Sequence, residues 1–395
     1  MLESLTAQPQ DKILQLIALY RDDPRQGKID LGVGVYKDAS GLTPVMRAVK
    51  QAEHLLWQSE NTKTYTTLAG DPAFAEALTT MILGAAADHV GDRAAAVATP
   101  GGTGAIRQAL ELIKLSAPSA TVWLSNPTWP NHPSIIRYLG MKLAEYRYFD
   151  PASRGIDFPG LLEDLARVQP GDVVLLHGCC HNPTGANLTM EQWSQVTDLL
   201  LTRHAVPFVD LAYQGFGDGL DADAAPTRLI AAKFPEVLIA ASCSKNFGIY
   251  RERTGLLIAL TDPARRAVVQ GNLNFLNRQN YSFPPDHGAR LVTMILNDPA
   301  LTADWKAELE EVRLNMLTLR TQLATELRRA TNSDRYDFVA HHRGMFSRLG
   351  LSEAQVMELR DKHAIYMVGD SRINIAGLNA ATVPILAAAI AAVGG

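Results

Sequence analysis

The chain has 395 residues, 47% of them hydrophobic, which is enough apolar material for a substantial core and makes two domains the default. Lysine and arginine number 37 against 41 acidic residues, and the net charge of -4 argues against attraction to nucleic acid or to an anionic membrane. Three cysteines, Cys179, Cys180 and Cys243, are too few for a disulfide framework and read as reduced thiols of a soluble, cytoplasmic protein.

The N-terminus opens Met1-Leu2-Glu3-Ser4, without the basic and apolar segments of a secretory signal. Residues 1–45 predict an arm, then a short amphipathic helix over Ile13 to Tyr20 that stops near Asp23-Pro24. A glycine-bearing extended run follows, Ile29 to Tyr36. Over 46–309 helical stretches alternate with short β-rich runs: Ala94 to Ala98, Thr121 to Ser125, Val173 to His177, Val206 to Asp210, Val237 to Ser242 and Gly255 to Ala259. That alternation predicts an α/β fold with a mostly parallel sheet between helices and ligands beyond the carboxyl ends of its strands. The rest, 310–395, begins within a long charged helix around Trp305 to Arg329 and continues in shorter elements. Its most apolar tract, Ala380 to Val393, is too short to span a bilayer and contains Pro384, so it fits a docked C-terminal helix.

The chemistry gathers in residues 241–255, Ala-Ser-Cys-Ser-Lys-Asn-Phe-Gly-Ile-Tyr-Arg-Glu-Arg-Thr-Gly. Ser242, Ser244 and Arg253 can each hydrogen-bond a phosphate, and the Lys245 amine is the type of group that condenses with a carbonyl. Pyridoxal phosphate presents both demands. Taken alone, a surface lysine between serines is the plain alternative. Asp210, closing the apolar run before Leu211-Ala212-Tyr213, supplies the acid that such a cofactor needs at its pyridine nitrogen. Thr99 to Ile106 is a glycine-rich turn into a helix that ends near Leu112, so Gly102 and Thr103 lie where free backbone N–H groups and the helix dipole seat a phosphate. Gly102-x-Gly104 also begins a dinucleotide fingerprint, but Arg107 stands at its third glycine position. His177, Cys179, Cys180 and His181 suggest zinc, yet four ligands within five residues do not readily close a tetrahedron, and no metal is expected.

Residues 242–248 with Arg253, residues 209–220, His181-Asn182-Pro183-Thr184-Gly185 and residues 372–379 together resemble the class I aminotransferases of the aspartate and aromatic amino acid branch, in order and over nearly the whole chain. The resemblance implies a fold type I enzyme with a seven-stranded-type sheet, a large domain over 46–309, and a small domain formed by 1–45 and 310–395. It implies pyridoxal phosphate held by Lys245, with Trp129 stacked on its ring, Asn182 and Tyr213 on its phenolic oxygen, and Asp210, Ser242, Ser244 and Arg253 in the roles just given. It further implies Arg372 on the substrate α-carboxylate, Gly34, Trp129 and Asn182 lining the cleft, and Arg278 on a distal carboxylate. Amino acids and 2-oxo acids are the implied substrates. A homodimer is implied too, with Tyr65 and Arg278 crossing to the other subunit's site. Phe283 and Arg348 depart from the aspartate-type pattern and lean towards aromatic substrates. A plain aspartate aminotransferase, a β-lyase or decarboxylase, and a non-catalytic regulator that binds the same cofactor are the competing readings.

Overall fold

The protein is described by a computed structural model covering residues 1–8 and 11–395, so positions 9 and 10 of the expected arm lie outside the described residues. The chain divides into two compact units, Pro44–Asn315 and Met1–Thr43 with Met316–Gly395. The second boundary falls inside one long helix, Pro299–Thr331.

The larger unit is built on seven strands: β1 (Ala94–Pro100), β2 (Thr121–Asn126), β3 (Lys142–Arg147), β4 (Val173–His177), β5 (Val206–Leu211), β6 (Val237–Ser242) and β7 (Thr254–Leu260). Their spatial order is β1-β7-β6-β5-β4-β2-β3, and only β7 runs antiparallel to its neighbours. Strands β4, β6 and β7 are buried at every position, the condition of a sheet covered on both faces. Residues such as Val209, Ile239, Leu256 and Leu257 are wholly inaccessible, each contributing about 1.5–3 kcal/mol of apolar burial. One face of the sheet shares a core with residues of the helices Gly101–Ser116, Asn131–Tyr138 and Arg266–Asn280.

Six of the seven strands coincide with the predicted runs to within two residues. Strand β3 was not expected. It lies at the sheet edge and reads Lys-Leu-Ala-Glu-Tyr-Arg, with Tyr146 its one buried residue, so no apolar run marks it. The glycine-rich turn leads into a helix one turn longer than predicted, Gly101–Ser116.

The smaller unit has its own core, centred on Leu31, Leu323, Leu327, Val339, Leu359, Ile365, Ile373 and Leu386. Two short sheets support it: Ile29–Asp30 pairs in parallel with Ile365–Tyr366, and Phe346–Arg348 pairs antiparallel with Arg372–Asn374. Only the first two residues of the expected run Ile29 to Tyr36 therefore form a strand. The helix Lys12–Asp22 is capped by the Asp11 carboxylate and has no buried residue; Leu14 and Leu19 are exposed. The C-terminal helix Thr382–Ala392 buries Val383, Leu386, Ala387, Ala389 and Ile390, and tolerates Pro384 because it falls in the first turn. Among the described residues, no helix is long and apolar enough to cross a membrane.

Candidate active site

Parallel strands deliver their last residues to one edge of the sheet, and the larger unit places its chemistry there. Asp210 on β5 stands in register with His177 on β4 and with Ala240 on β6. Lys245 lies three residues beyond the end of β6, in a turn closed by a hydrogen bond from the Gly248 amide to the Lys245 carbonyl. The turn is anchored from behind. Phe247 stacks on Trp305 at 4.4 Å with nearly parallel rings, and the Trp305 indole N–H donates to the Asn246 carbonyl at 2.7 Å.

Asp210 is 9% exposed, and burial works against its charge. The hydrogen bond with His132, with help from the nearby Lys245 amine in its charged form, outweighs that penalty and holds the carboxyl below its usual range. His132 Nε2 lies 3.1 Å from Asp210 Oδ2, its Nδ1 lies 2.8 Å from Thr128 Oγ1, and that hydroxyl lies 3.1 Å from His177 Nε2. Burial pushes His177 down to about 3, so it is neutral at ordinary pH and works as a hydrogen-bonding group. The Asn182 amide donates to the Tyr213 hydroxyl at 3.4 Å, and the Lys245 amine sits 4.9 Å from the centre of the Tyr213 ring. Trp129 meets the His132 ring edge-on at 5.2 Å. Loss of water draws the Lys245 amine down to about 8; the Arg253 cation adds to the effect and the Asp210 carboxylate opposes it.

Next to this group is a candidate anion seat. The helix Gly101–Ser116 begins with no side-chain cap, leaving N–H groups of its first turn without partners in the helix. A Cβ on Gly102 would stand 3.0 Å from Ser242 Cβ, and one on Gly101, whose φ is +69°, would come within 2.6 Å of Arg253 Nη2. Glycine therefore lets the helix start pack closely against Ser242 and Arg253. Arg253 Nη1 donates to the Tyr250 carbonyl at 3.1 Å and reaches Ser244 Oγ at 3.5 Å.

Lys245, Asp210, Tyr213, Asn182, Trp129, Ser242, Ser244, Arg253, Gly102 and Thr103 thus all belong to one edge of the larger unit. Sequence reasoning passed over His132 and Thr128, which orient the Asp210 carboxylate. His177 and His181, considered there only as metal ligands, are engaged with Thr128 and with Ser125 and Thr184. The ligand atoms of Cys179, Cys180 and Asp223 lie within 4.8 Å of one another, but Asp223 is occupied by the amides of Gly215, Gly217 and Asp218 and so pins the loop after Tyr213.

Tyr65 and Arg278 meet around Phe283. Tyr65 is 84% exposed and stacks on Phe283 at 4.8 Å, while Arg278 donates to Ser282 Oγ at 2.6 Å with its guanidinium 5.9 Å from the Phe283 ring. In the smaller unit Arg372, 5% exposed, donates to the Gly32 carbonyl at 2.9 Å and lies 4.4 Å over the Phe346 ring. Gly34 has a packing reason of its own: a Cβ there would stand 2.8 Å from Phe346 Cζ. Arg348 pairs with Asp370 at 3.3 Å.

Residues 26–390 match the family described as aminotransferase class I and II. The chain is 60% identical over 395 residues to the aromatic-amino-acid aminotransferase of Paracoccus denitrificans, covering all of both chains. A solved aromatic amino acid aminotransferase with 3-indolebutyric acid superposes with a TM-score of 0.97 at 60% identity, again over all of both chains. The Burkholderia pseudomallei aromatic-amino-acid aminotransferase, solved covalently bound to pyridoxal phosphate, superposes with a TM-score of 0.96 at 38% identity over 100% of this chain and 99% of that one. With strand ends, anion seat and full-length similarity in agreement, the chain belongs to the class I and II aminotransferases.

Proposed function

We propose that the protein is a pyridoxal phosphate-dependent aminotransferase that takes the amino group from aromatic amino acids, and also from aspartate and glutamate, and gives it to 2-oxoglutarate in a ping-pong order. The observation that carries the reading is the Lys245 amine and the buried Asp210 carboxylate at adjacent strand ends, beside a glycine-built helix start packed against Ser242 and Arg253. These residues fit the cofactor: an amine for its carbonyl, a carboxylate for its ring nitrogen, and N–H, hydroxyl and guanidinium donors for its phosphate.

When bound, pyridoxal phosphate supplies an electron sink for the charge left on the substrate α-carbon. Lys245, its amine drawn towards neutrality, would carry the proton between that carbon and the cofactor's C4'. Asp210, kept ionised by His132, would hold a proton on the ring nitrogen. Asn182 and Tyr213 would hydrogen-bond the phenolic oxygen, Trp129 would pack on the ring, and Gly102, Thr103, Ser242, Ser244 and Arg253 would hold the phosphate. Arg372 binds the substrate α-carboxylate through its planar fork, and Gly34, Trp129 and Asn182 line the substrate's place.

Arg278 serves the distal carboxylate of aspartate, glutamate and 2-oxoglutarate. Its position against Ser282 and beside the Phe283 ring supports a site that also accepts a ring. The names of the 60% identical relatives support the aromatic donors. The active unit is a homodimer in which Tyr65 and Arg278 serve the other copy's site, a role supported by the exposure of both side chains. The three buried free thiols suit a cytoplasmic enzyme.

The test compares tyrosine, phenylalanine and aspartate as donors to 2-oxoglutarate. Arg278→Leu should lower kcat/KM for aspartate by about 10- to 100-fold and leave phenylalanine within a few-fold, as a charge-assisted hydrogen bond is worth roughly 1.5–3 kcal/mol. Equal losses, or a wild-type enzyme inert towards both aromatic donors, would favour a plain aspartate aminotransferase.

A further inference from the structure

Arg320 lies on the long helix Pro299–Thr331, in its part belonging to the smaller unit, and is fully buried. A guanidinium removed from water must spend its N–H groups on protein acceptors. Nη1 donates to the Val339 carbonyl at 3.1 Å and to Ser347 Oγ at 2.8 Å. Nη2 donates to the carbonyls of Gly344 at 2.8 Å, Phe346 at 2.7 Å and Arg343 at 3.3 Å. All of these acceptors except Val339 lie within residues 343–347. The Ser347 oxygen, occupied as an acceptor, lies 3.1 Å from His342 Nδ1 and can give that nitrogen its own proton.

The braced stretch carries Phe346. Its ring lies under the Arg372 guanidinium and fills the space that a side chain at position 34 would need. Phe346 is paired in register with Asn374, whose side-chain amide donates to the carbonyls of Val33 and Val35, both at 2.7 Å. A displacement of the Phe346 strand therefore acts on two supports of Arg372: the ring below it and the segment whose Gly32 carbonyl it grips.

We infer that Arg320 is a positioning residue for substrate binding: by pinning the carbonyls of Arg343, Gly344 and Phe346 it holds the Phe346 ring against Gly34 and beneath Arg372, and so sets how the Arg372 fork is presented to a carboxylate. The inference rests on the reading that Arg372 binds the substrate carboxylate. Lysine cannot take over the task, because three donors on one nitrogen cannot fan out to five acceptors.

The test uses the cofactor-loaded enzyme and the unreactive carboxylate 3-indolebutyrate, titrated calorimetrically. Arg320→Lys should raise its Kd about tenfold and raise KM for phenylalanine alike, with kcat within about threefold and cofactor content unchanged. Phe346→Leu should do the same, and the double variant should be no worse than the more affected single, because both act through one ring. An unchanged Kd in Arg320→Lys with only a lower melting temperature makes Arg320 a plain brace and overturns the inference, as do losses that multiply in the double variant. If Arg320→Lys does not fold, Ser347→Ala decides, since it removes one acceptor and leaves the charge buried; Kd should rise about threefold, and an unchanged Kd overturns the inference. Arg372→Leu separates the two levels. If it leaves Kd unchanged, the carboxylate reading itself fails; if it abolishes binding while the Arg320 and Phe346 variants bind normally, only the positioning role fails.

Discussion

Lys245 is a base near neutral pH because of where it sits. An ordinary lysine holds its proton to about 10.4. Here desolvation first, and the Arg253 cation second, favour the neutral amine, while Asp210 pulls the other way. Acylation of Lys245 in the cofactor-free protein should therefore titrate with a midpoint of about 8. Arg253→Gln removes a cation that disfavours the ammonium form and should move the midpoint up; Asp210→Asn removes an opposing anion and should move it down. Shifts of the opposite sign would show that these charges do not act on the amine. Lys245 and Asp210 were legible in the sequence because each follows an apolar run long enough for a buried strand and so had to emerge at a strand end. His132 was not. It lies 78 positions before the carboxylate it orients, and Asn131-His132-Pro133 carries nothing that points it at β5.

The anion seat is a property of elements brought together, and Gly101 is where they meet. Alanine there must adopt a left-handed backbone, costing about 1–2 kcal/mol, and its methyl displaces the Arg253 guanidinium. Gly101→Ala should therefore weaken pyridoxal phosphate retention on dialysis by at least about tenfold while the sheet stays folded, as circular dichroism would report. Cofactor retention equal to wild type would remove Arg253 and the helix start from the phosphate site. The helix after β1 was foreseeable from its glycines and its position after a strand. The edge strand β3 was not, because a solvated edge carries no apolar pattern, and neither was the Phe346 ring against Gly34, since its two partners are distant in sequence and glycine does not announce what fills the space beside it.

At the scale of the whole molecule, the proposed shared-site dimer makes a prediction that no single chain can satisfy. Mixing Lys245→Ala with Arg278→Leu subunits should restore aspartate turnover in one site of each heterodimer, since one site then draws an intact lysine from one chain and an intact arginine from the other. Mixing Lys245→Ala with Arg372→Ala should restore nothing, because both groups come from the same chain; a fully active monomer on sizing would refute the shared site. The alternation of helices and strands made the sheet readable in advance, but neither the exposure of Tyr65 nor its stacking on Phe283 was, since both depend on the folded surface. The central claim, that this chain carries an amino group from an aromatic donor to a 2-oxo acid, meets its most direct test in a single half-reaction. Phenylalanine added to the loaded enzyme without any oxo acid should yield one phenylpyruvate per Lys245 and then stop, and 2-oxoglutarate added afterwards should release one glutamate per site. Continuous product formation without the oxo acid, or no phenylpyruvate at all, would contradict the account.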